Sequence, residues 1–232
     1  MGIILIPGII FAMIASAKVN SNFKKYEQVL SSKGLTGAQV AQKILEAEGI
    51  YDVQIQKGHT NELTDNFNPK TKVITLSNKV HDGTSIASIG VAAHETGHAI
   101  QQAKGYALMK IRTALAYASN FMSMFVWPLL IIGIILDFAY VGGVVGKTFL
   151  WVGVAFFGLS TLFSLVTLPV EFNASSRALK LLVSTGCVDE MEVKGCKKVL
   201  SSAAMTYVAA LVVSILELLR FVLFFLLRSR DN

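Results

Sequence analysis

Residues 148–170 form a run of 23 without a single charged side chain. Helices buried in soluble cores rarely stay apolar for so long, and as a helix this run would rise about 35 Å, enough for the roughly 30 Å hydrocarbon core of a bilayer. Within lipid each backbone N–H and C=O has to be satisfied inside the segment, so the run reads as a transmembrane helix. Two further segments qualify. Residues 121–146 carry one charge, Asp137, and residues 203–227 carry Glu217 and Arg220, three apart and able to pair on one helix face. At the N-terminus, residues 3–17 are uncharged, but as a helix they would rise only about 22 Å. Ala15-Ser16-Ala17 resembles a signal-peptide cleavage site. No positive n-region precedes the stretch, so a retained anchor is expected.

The whole chain has the balance that follows from such segments: 53% hydrophobic and 16% charged residues, with a mean hydropathy of +0.56. Its net charge is +6. No Arg-rich run or RNA-binding aromatic pattern accompanies that charge, which argues against nucleic acid and for a membrane surface. Residues 18–118 hold 12 Lys and Arg and residues 171–202 hold five, out of 21. With four spans these two segments share a side, and the positive-inside rule makes it the cytoplasm. Both chain ends then face outward, with Arg228 and Arg230 running against the rule. Lys147 marks a tight loop between two spans. Cys187 and Cys196 have neither zinc-ribbon spacing nor an oxidising compartment, and read as free thiols.

Residues 18–118 read as a soluble α+β unit. A polar helical connector over 20–32 leads to Thr36-Gly-Ala-Gln39, a capping box that opens a helix with Val40, Ile44 and Leu45 on one face and Gly49 as its stop. Residues 52–56 and 72–77 alternate like strands, and Asn66-Phe-Asn-Pro69 is turn-like. The second strand is either a candidate edge for pairing with an extended substrate or plain sheet core. Asp82-Gly-Thr-Ser85 offers N-caps for a helix with an apolar stripe at Ile86, Ile89, Ala93 and Ile100, ending near Gly105.

That helix carries the chemistry. His94-Glu-Thr-Gly-His98 is an H-E-x-x-H pattern. Positions i and i+4 share a helix face, so both imidazoles can reach one zinc ion, and Glu95 can reach water in an open coordination position as a general base. A catalytic zinc needs a third protein ligand. His59 and His81 lie in polar loops, and no histidine follows at metzincin spacing. Glu171 closes an uncharged span at Leu168-Pro-Val-Glu, where a carboxylate at the lipid border needs a partner. Pro169 before it suits the first turn of a new helix, or a kink. Glu190 and Glu192 compete with Glu171, from a stretch that looks solvated.

The chain resembles the family of membrane zinc metallopeptidases called neutral zinc metallopeptidase type 2, or YugP-like. The resemblance rests on Leu35-Thr-Gly-Ala, Tyr51-Asp-Val, Lys72-Val-Ile-Thr-Leu-Ser77, Ala92-Ala-His-Glu-Thr-Gly-His-Ala-Ile-Gln101, Leu168-Pro-Val-Glu-Phe-Asn-Ala-Ser175 and Ala203-Ala-Met-Thr-Tyr207, over nearly the whole length. That family is similar to gluzincins of the HtpX/CAAX-protease type, which pair H-E-x-x-H with a later E-x-x-x-D whose Glu binds zinc. Glu171-Phe-Asn-Ala-Ser175 matches that element with Ser in place of Asp, so the resemblance implies Glu171 as third ligand. An Asp there would accept a hydrogen bond from a ligand imidazole. Ser175 would do so more weakly, with Asn173 sharing the task. Tyr207 and His81 are candidate oxyanion stabilisers.

The expected fold is mainly α: a multi-span membrane protein with a small α+β gluzincin-like unit carrying the H-E-x-x-H helix. The expected organisation is an anchor over 1–17, a cytoplasmic metallopeptidase unit over 18–118, two transmembrane helices over 119–170, a third-ligand helix and cytoplasmic segment over 171–202, and a transmembrane helix and tail over 203–232. The expected function is zinc-dependent peptide hydrolysis at the cytoplasmic membrane surface. One zinc per chain, surrounding lipid and a peptide or membrane-protein substrate go with it. A non-catalytic membrane scaffold stapled by structural zinc is the alternative, against which an intact Glu95 argues.

Overall fold

The computed structural model describes residues 2–58, 64–138 and 143–230. After a 3-10 turn at Gly2–Leu5 come α1 (Ile6–Glu27), α2 (Gly37–Ala47), β1 (Gln54–Lys57), β2 (Asn66–Asn68), β3 (Val73–Leu76) and α3 (Asn78–His81). Then follow α4 (Ile86–Ala103), α5 (Ala107–Phe138), α6 (Gly143–Ser184) and α7 (Val193–Arg230). Four helices are long and apolar enough to cross a membrane, in α1, α5, α6 and α7. The chain divides into two compact units: Ile14–Lys110 with Pro169–Thr206, and Met1–Met13 with Ile111–Leu168 and Tyr207–Asn232.

The first of these units is built around α4. Fourteen of its 18 residues are buried, so it is a central helix rather than a surface helix with one apolar stripe. Ile86, Ile89, Ala92, Ala93 and Ile100 share a core with Val40, Ala41, Ile44 and Leu45 of α2, Ile74 and Leu76 of β3, Ala178 and Leu182 of α6, and Cys196 and Leu200 of α7. The local signals work as their chemistry predicts. Thr36 accepts from the Gln39 N–H while the Gln39 side chain accepts from the Thr36 N–H, and Gly49 ends α2 at φ +71°. Ser85 caps α4 by accepting from the Ser88 N–H, and Gly105 follows its end at φ +66°. Cys187 and Cys196 are free and buried.

The three-stranded sheet has the order β1-β3-β2, with β1 parallel and β2 antiparallel to β3. One expectation fails here, and one open alternative is decided. Asn66-Phe-Asn68 is a strand rather than a turn, because Asn68 Oδ1 accepts from the N–H groups of Lys70 and Thr71 and moves the reversal past Pro69. Residues 73–76 form the central strand with both sides paired, so they offer no edge to a substrate.

In the other unit the helices meet through small residues. A Cβ on Gly133 would lie 2.7 Å from the Leu150 side chain, and one on Gly153 would lie 2.8 Å from that of Leu130. Val126, Leu130, Leu150 and Val154 form the core there, flanked by Phe157 and Phe221. Thr161 and Ser214 share a hydroxyl hydrogen bond of 2.7 Å. Arg220 stacks over Phe221 at 4.8 Å, and among the described residues it forms no ion pair with Glu217.

Helix boundaries moved most. The N-terminal apolar stretch and the polar connector after it are one helix, α1, since nothing between Ala17 and Asn20 breaks helical hydrogen bonding. Lys147 lies inside α6 rather than in a loop. Pro169 is also inside α6: the proline costs one backbone bond, but the helix runs on to Ser184 because Val170, Ala174, Ala178 and Leu182 are completely buried along one face.

Candidate metal centre

His94 and His98 lie one turn apart on α4, and Glu171 lies on α6. One ligand atom from each lies within 4.8 Å of the others. Glu171 Oε2 is 3.1 Å from His94 Nε2 and 3.5 Å from His98 Nε2. Donors around a tetrahedral zinc at about 2.0–2.2 Å stand about 3.3 Å apart, so these two separations bracket what the ion requires. Glu171 is 1% exposed and His98 5%, while His94 is half-buried. Two imidazoles and a buried carboxylate form a donor set that fits zinc and leaves a position open.

What brings the two helices this close is Gly97, inside the motif itself. A Cβ there would lie 2.7 Å from the Ala174 carbonyl oxygen, so α4 and α6 touch backbone to backbone. The contact sits one turn past Glu171, which lays that carboxylate over the two imidazoles.

Each imidazole is held from behind. Ser175 Oγ is 3.1 Å from His94 Nδ1. Gln101 holds His98: its Nε2 donates to the Val170 carbonyl (2.8 Å) and to Asn173 Oδ1 (3.0 Å), which turns Oε1 toward His98 Nδ1 at 3.0 Å. Oε1 can only accept, so His98 carries its proton on Nδ1 and keeps the Nε2 lone pair for a metal. Arg177 Nε donates to Asn173 Oδ1 at 2.8 Å and fixes that amide in turn. Asn173 therefore acts on His98 through Gln101, rather than sharing the His94 contact with Ser175.

Glu95 is 8% exposed. Burial pushes its carboxyl up to about 7; His94 pulls the other way, Glu171 and Asp65 push further, and the Phe67 N–H on β2 partly offsets them. Asp65 is itself anchored, accepting from the N–H (2.8 Å) and hydroxyl (3.1 Å) of Ser77.

The remaining candidates lie elsewhere. His81 Nδ1 is 2.7 Å from Asp82 Oδ1 and takes no part in the cluster. Tyr207 belongs to the other unit. His59 lies outside the described residues. Glu192 is not a solvated acid: its carboxylate accepts from the N–H groups of Ser32 (2.6 Å) and Asp189 (3.0 Å). Glu190 is exposed. Gln101 and Asp65 are the residues here that the sequence reading does not name as candidates. For Gln101 the signal was present, because a residue three past His98 shares its helix face. For Asp65 there was none, since its partner is 12 residues away.

The sequence profile of the family described as "Putative neutral zinc metallopeptidase" matches residues 1–226. The chain belongs to that family. It is also 45% identical over 219 residues, 94% of this chain and 92% of the other, to the "Putative membrane protease YugP" of Bacillus subtilis (strain 168). No solved structure matches it. Zinc is thus the metal this family's name implies, and the donor set of His94, His98 and Glu171 agrees with it. Four apolar helices and the membrane relative make this member of the family a multi-pass membrane protein.

Proposed function

We propose that the chain is a zinc-dependent endopeptidase that cleaves peptide bonds at the cytoplasmic surface of the membrane. The observation that carries this reading is the convergence of His94, His98 and Glu171 with Glu95 buried beside them. In this reading His94 Nε2, His98 Nε2 and the Glu171 carboxylate hold the ion. A zinc with one open position supplies a water acidic enough to lose its proton near neutral pH and an electrophile for a carbonyl oxygen. Glu95 takes the proton as the water oxygen bonds to the peptide carbonyl carbon. It then delivers that proton to the amide nitrogen as the C–N bond breaks. Gln101 and Ser175 keep the imidazoles in position throughout. A structural staple would use the same ligands but would have no use for a buried acid next to them, which favours catalysis over a scaffold.

Glu171 follows directly on the uncharged stretch of α6, which supports substrates in or beside the membrane. The clustering of Lys and Arg in residues 18–118 and 171–202 supports the cytoplasmic orientation. The deciding test is zinc content by mass spectrometry on detergent-purified protein. One zinc is expected in wild type and in Glu95→Gln, and none in Glu171→Ala. Full zinc in Glu171→Ala would remove Glu171 from the ligand set. Cleavage confined to soluble extracellular proteins would overturn the substrate assignment.

A further inference from the structure

The lysines that open α7 are exposed, and they share one concavity. Lys194, Lys197 and Lys198 line a cleft of about 660 Å³ together with Lys18 and Asn22 of α1 and Met205. No Asp or Glu lines it, and among the described residues none of the four lysines forms a salt bridge. Five other lysines of this unit are paired with carboxylates, Lys33 with Asp189 and Lys79 with Glu27 among them. Lys194 Nζ also lies 3.9 Å from Met191 Sδ, outside the lining; four lysines along one concavity still concentrate a positive field where low-dielectric walls focus it. The walls are tied together: Asn22 Nδ2 donates to the Lys198 carbonyl at 3.4 Å, and Phe23 and Val199 pack in one cluster.

The position of the cleft along its two helices indicates what the anion is. In α1 the uncharged stretch ends at Ala17, and Lys18 is the next residue. In α7 the charged first turns end at Lys198, and the apolar stretch begins at Ala203. The lysines therefore occupy the point on each helix where its lipid-compatible part gives way to its water-compatible part, the level of phospholipid head groups. Met205 on the wall adds apolar surface suited to the start of an acyl chain rather than to a free ion.

We infer that this cleft binds the phosphate head group of an anionic phospholipid. It is a lipid site separate from the metal centre, and it needs no peptidase activity to be detected. Juxtamembrane lysines contribute about fivefold each to anionic-lipid affinity.

The test is native mass spectrometry of the intact chain in neutral detergent, titrated with phosphatidylglycerol, phosphatidylcholine or inorganic phosphate. Phosphatidylglycerol adducts should persist at activation energies that strip phosphatidylcholine. The triple substitution Lys194→Gln, Lys197→Gln, Lys198→Gln should weaken phosphatidylglycerol retention about 100-fold. The corresponding Lys→Arg triple should preserve it and shows that the helix tolerates change there. A control triple of exposed lysines outside the candidate spans, Lys33→Gln, Lys43→Gln, Lys57→Gln, has the same net charge and should bind as wild type does. Equal loss in the control, or no preference for phosphatidylglycerol over phosphatidylcholine, would overturn the site. Displacement of the lipid by millimolar inorganic phosphate would overturn the lipid assignment and make the ligand a soluble phosphate.

Discussion

A histidine that holds a metal through Nε2 must be steered from Nδ1, and the two proposed ligands are steered unequally. His98 is backed by an amide whose own orientation is fixed by three further groups, Val170, Asn173 and Arg177. His94 is backed by one rotatable hydroxyl, that of Ser175. Gln101→Leu should therefore weaken zinc affinity about 10–100-fold, the range for loss of a partner behind a ligand. Ser175→Ala should cost less, and Ser175→Asp, which supplies a stronger acceptor, should tighten binding. Competition for zinc against a chromogenic chelator measures all three, and a Ser175→Ala effect larger than that of Gln101→Leu would refute the ranking. For Glu95→Gln, zinc binding should persist while turnover falls about 10²–10⁴-fold, the range for loss of a general base, once a cleavable peptide is in hand.

At the scale of elements, the site depends on how closely α4 and α6 approach. Gly97 permits a contact that any side chain would force apart, because the atom in the way is backbone and cannot rotate aside. Gly97→Ala should destabilise the protein by about 1–3 kcal/mol through overpacking and should also lose zinc, since displacing α6 moves Glu171 away from both imidazoles. A lower melting temperature in detergent with full zinc occupancy would show that the helices can separate without opening the site. Thr36→Ala is the useful contrast. It removes a capping box that has no contact with the ligands and should cost about 1 kcal/mol with zinc unchanged.

At the scale of the molecule, a zinc held by His94, His98 and Glu171 would tie together α4 and α6, which lie far apart in the chain. With zinc at a thousandfold excess over its Kd, the folded state should gain about 4 kcal/mol. Chelation should therefore lower the melting temperature of wild type and leave that of Glu171→Ala unmoved. Orientation is tested with a membrane-impermeant maleimide on intact cells. Lys147→Cys should label directly and Lys70→Cys only after permeabilisation, the native thiols being buried. Labelling in the reverse order would place the metal centre outside.

Much of this was legible in the sequence because it depends on local or one-dimensional properties. Apolar run length decides whether a helix can sit in lipid. The i, i+4 spacing of His94 and His98 decides that they share a face. Capping at Thr36 and Ser85 is settled within three residues. For the third ligand, Glu171 stands out at the end of an uncharged span with Glu190 and Glu192 as competitors, and likeness to a family strengthens that reading. Which strand lies at the centre of the sheet, which lysines share a cleft, and what stands behind each imidazole were decided by tertiary structure alone. Gln101 meets Val170 and Asn173 across some 70 residues, and Asn22 meets Lys198 across 176. Contacts at that separation leave no periodicity to read. They exist because burying α4 on nearly all sides forces the segments around it into one arrangement, and the close approach at Gly97 sets where that arrangement locks.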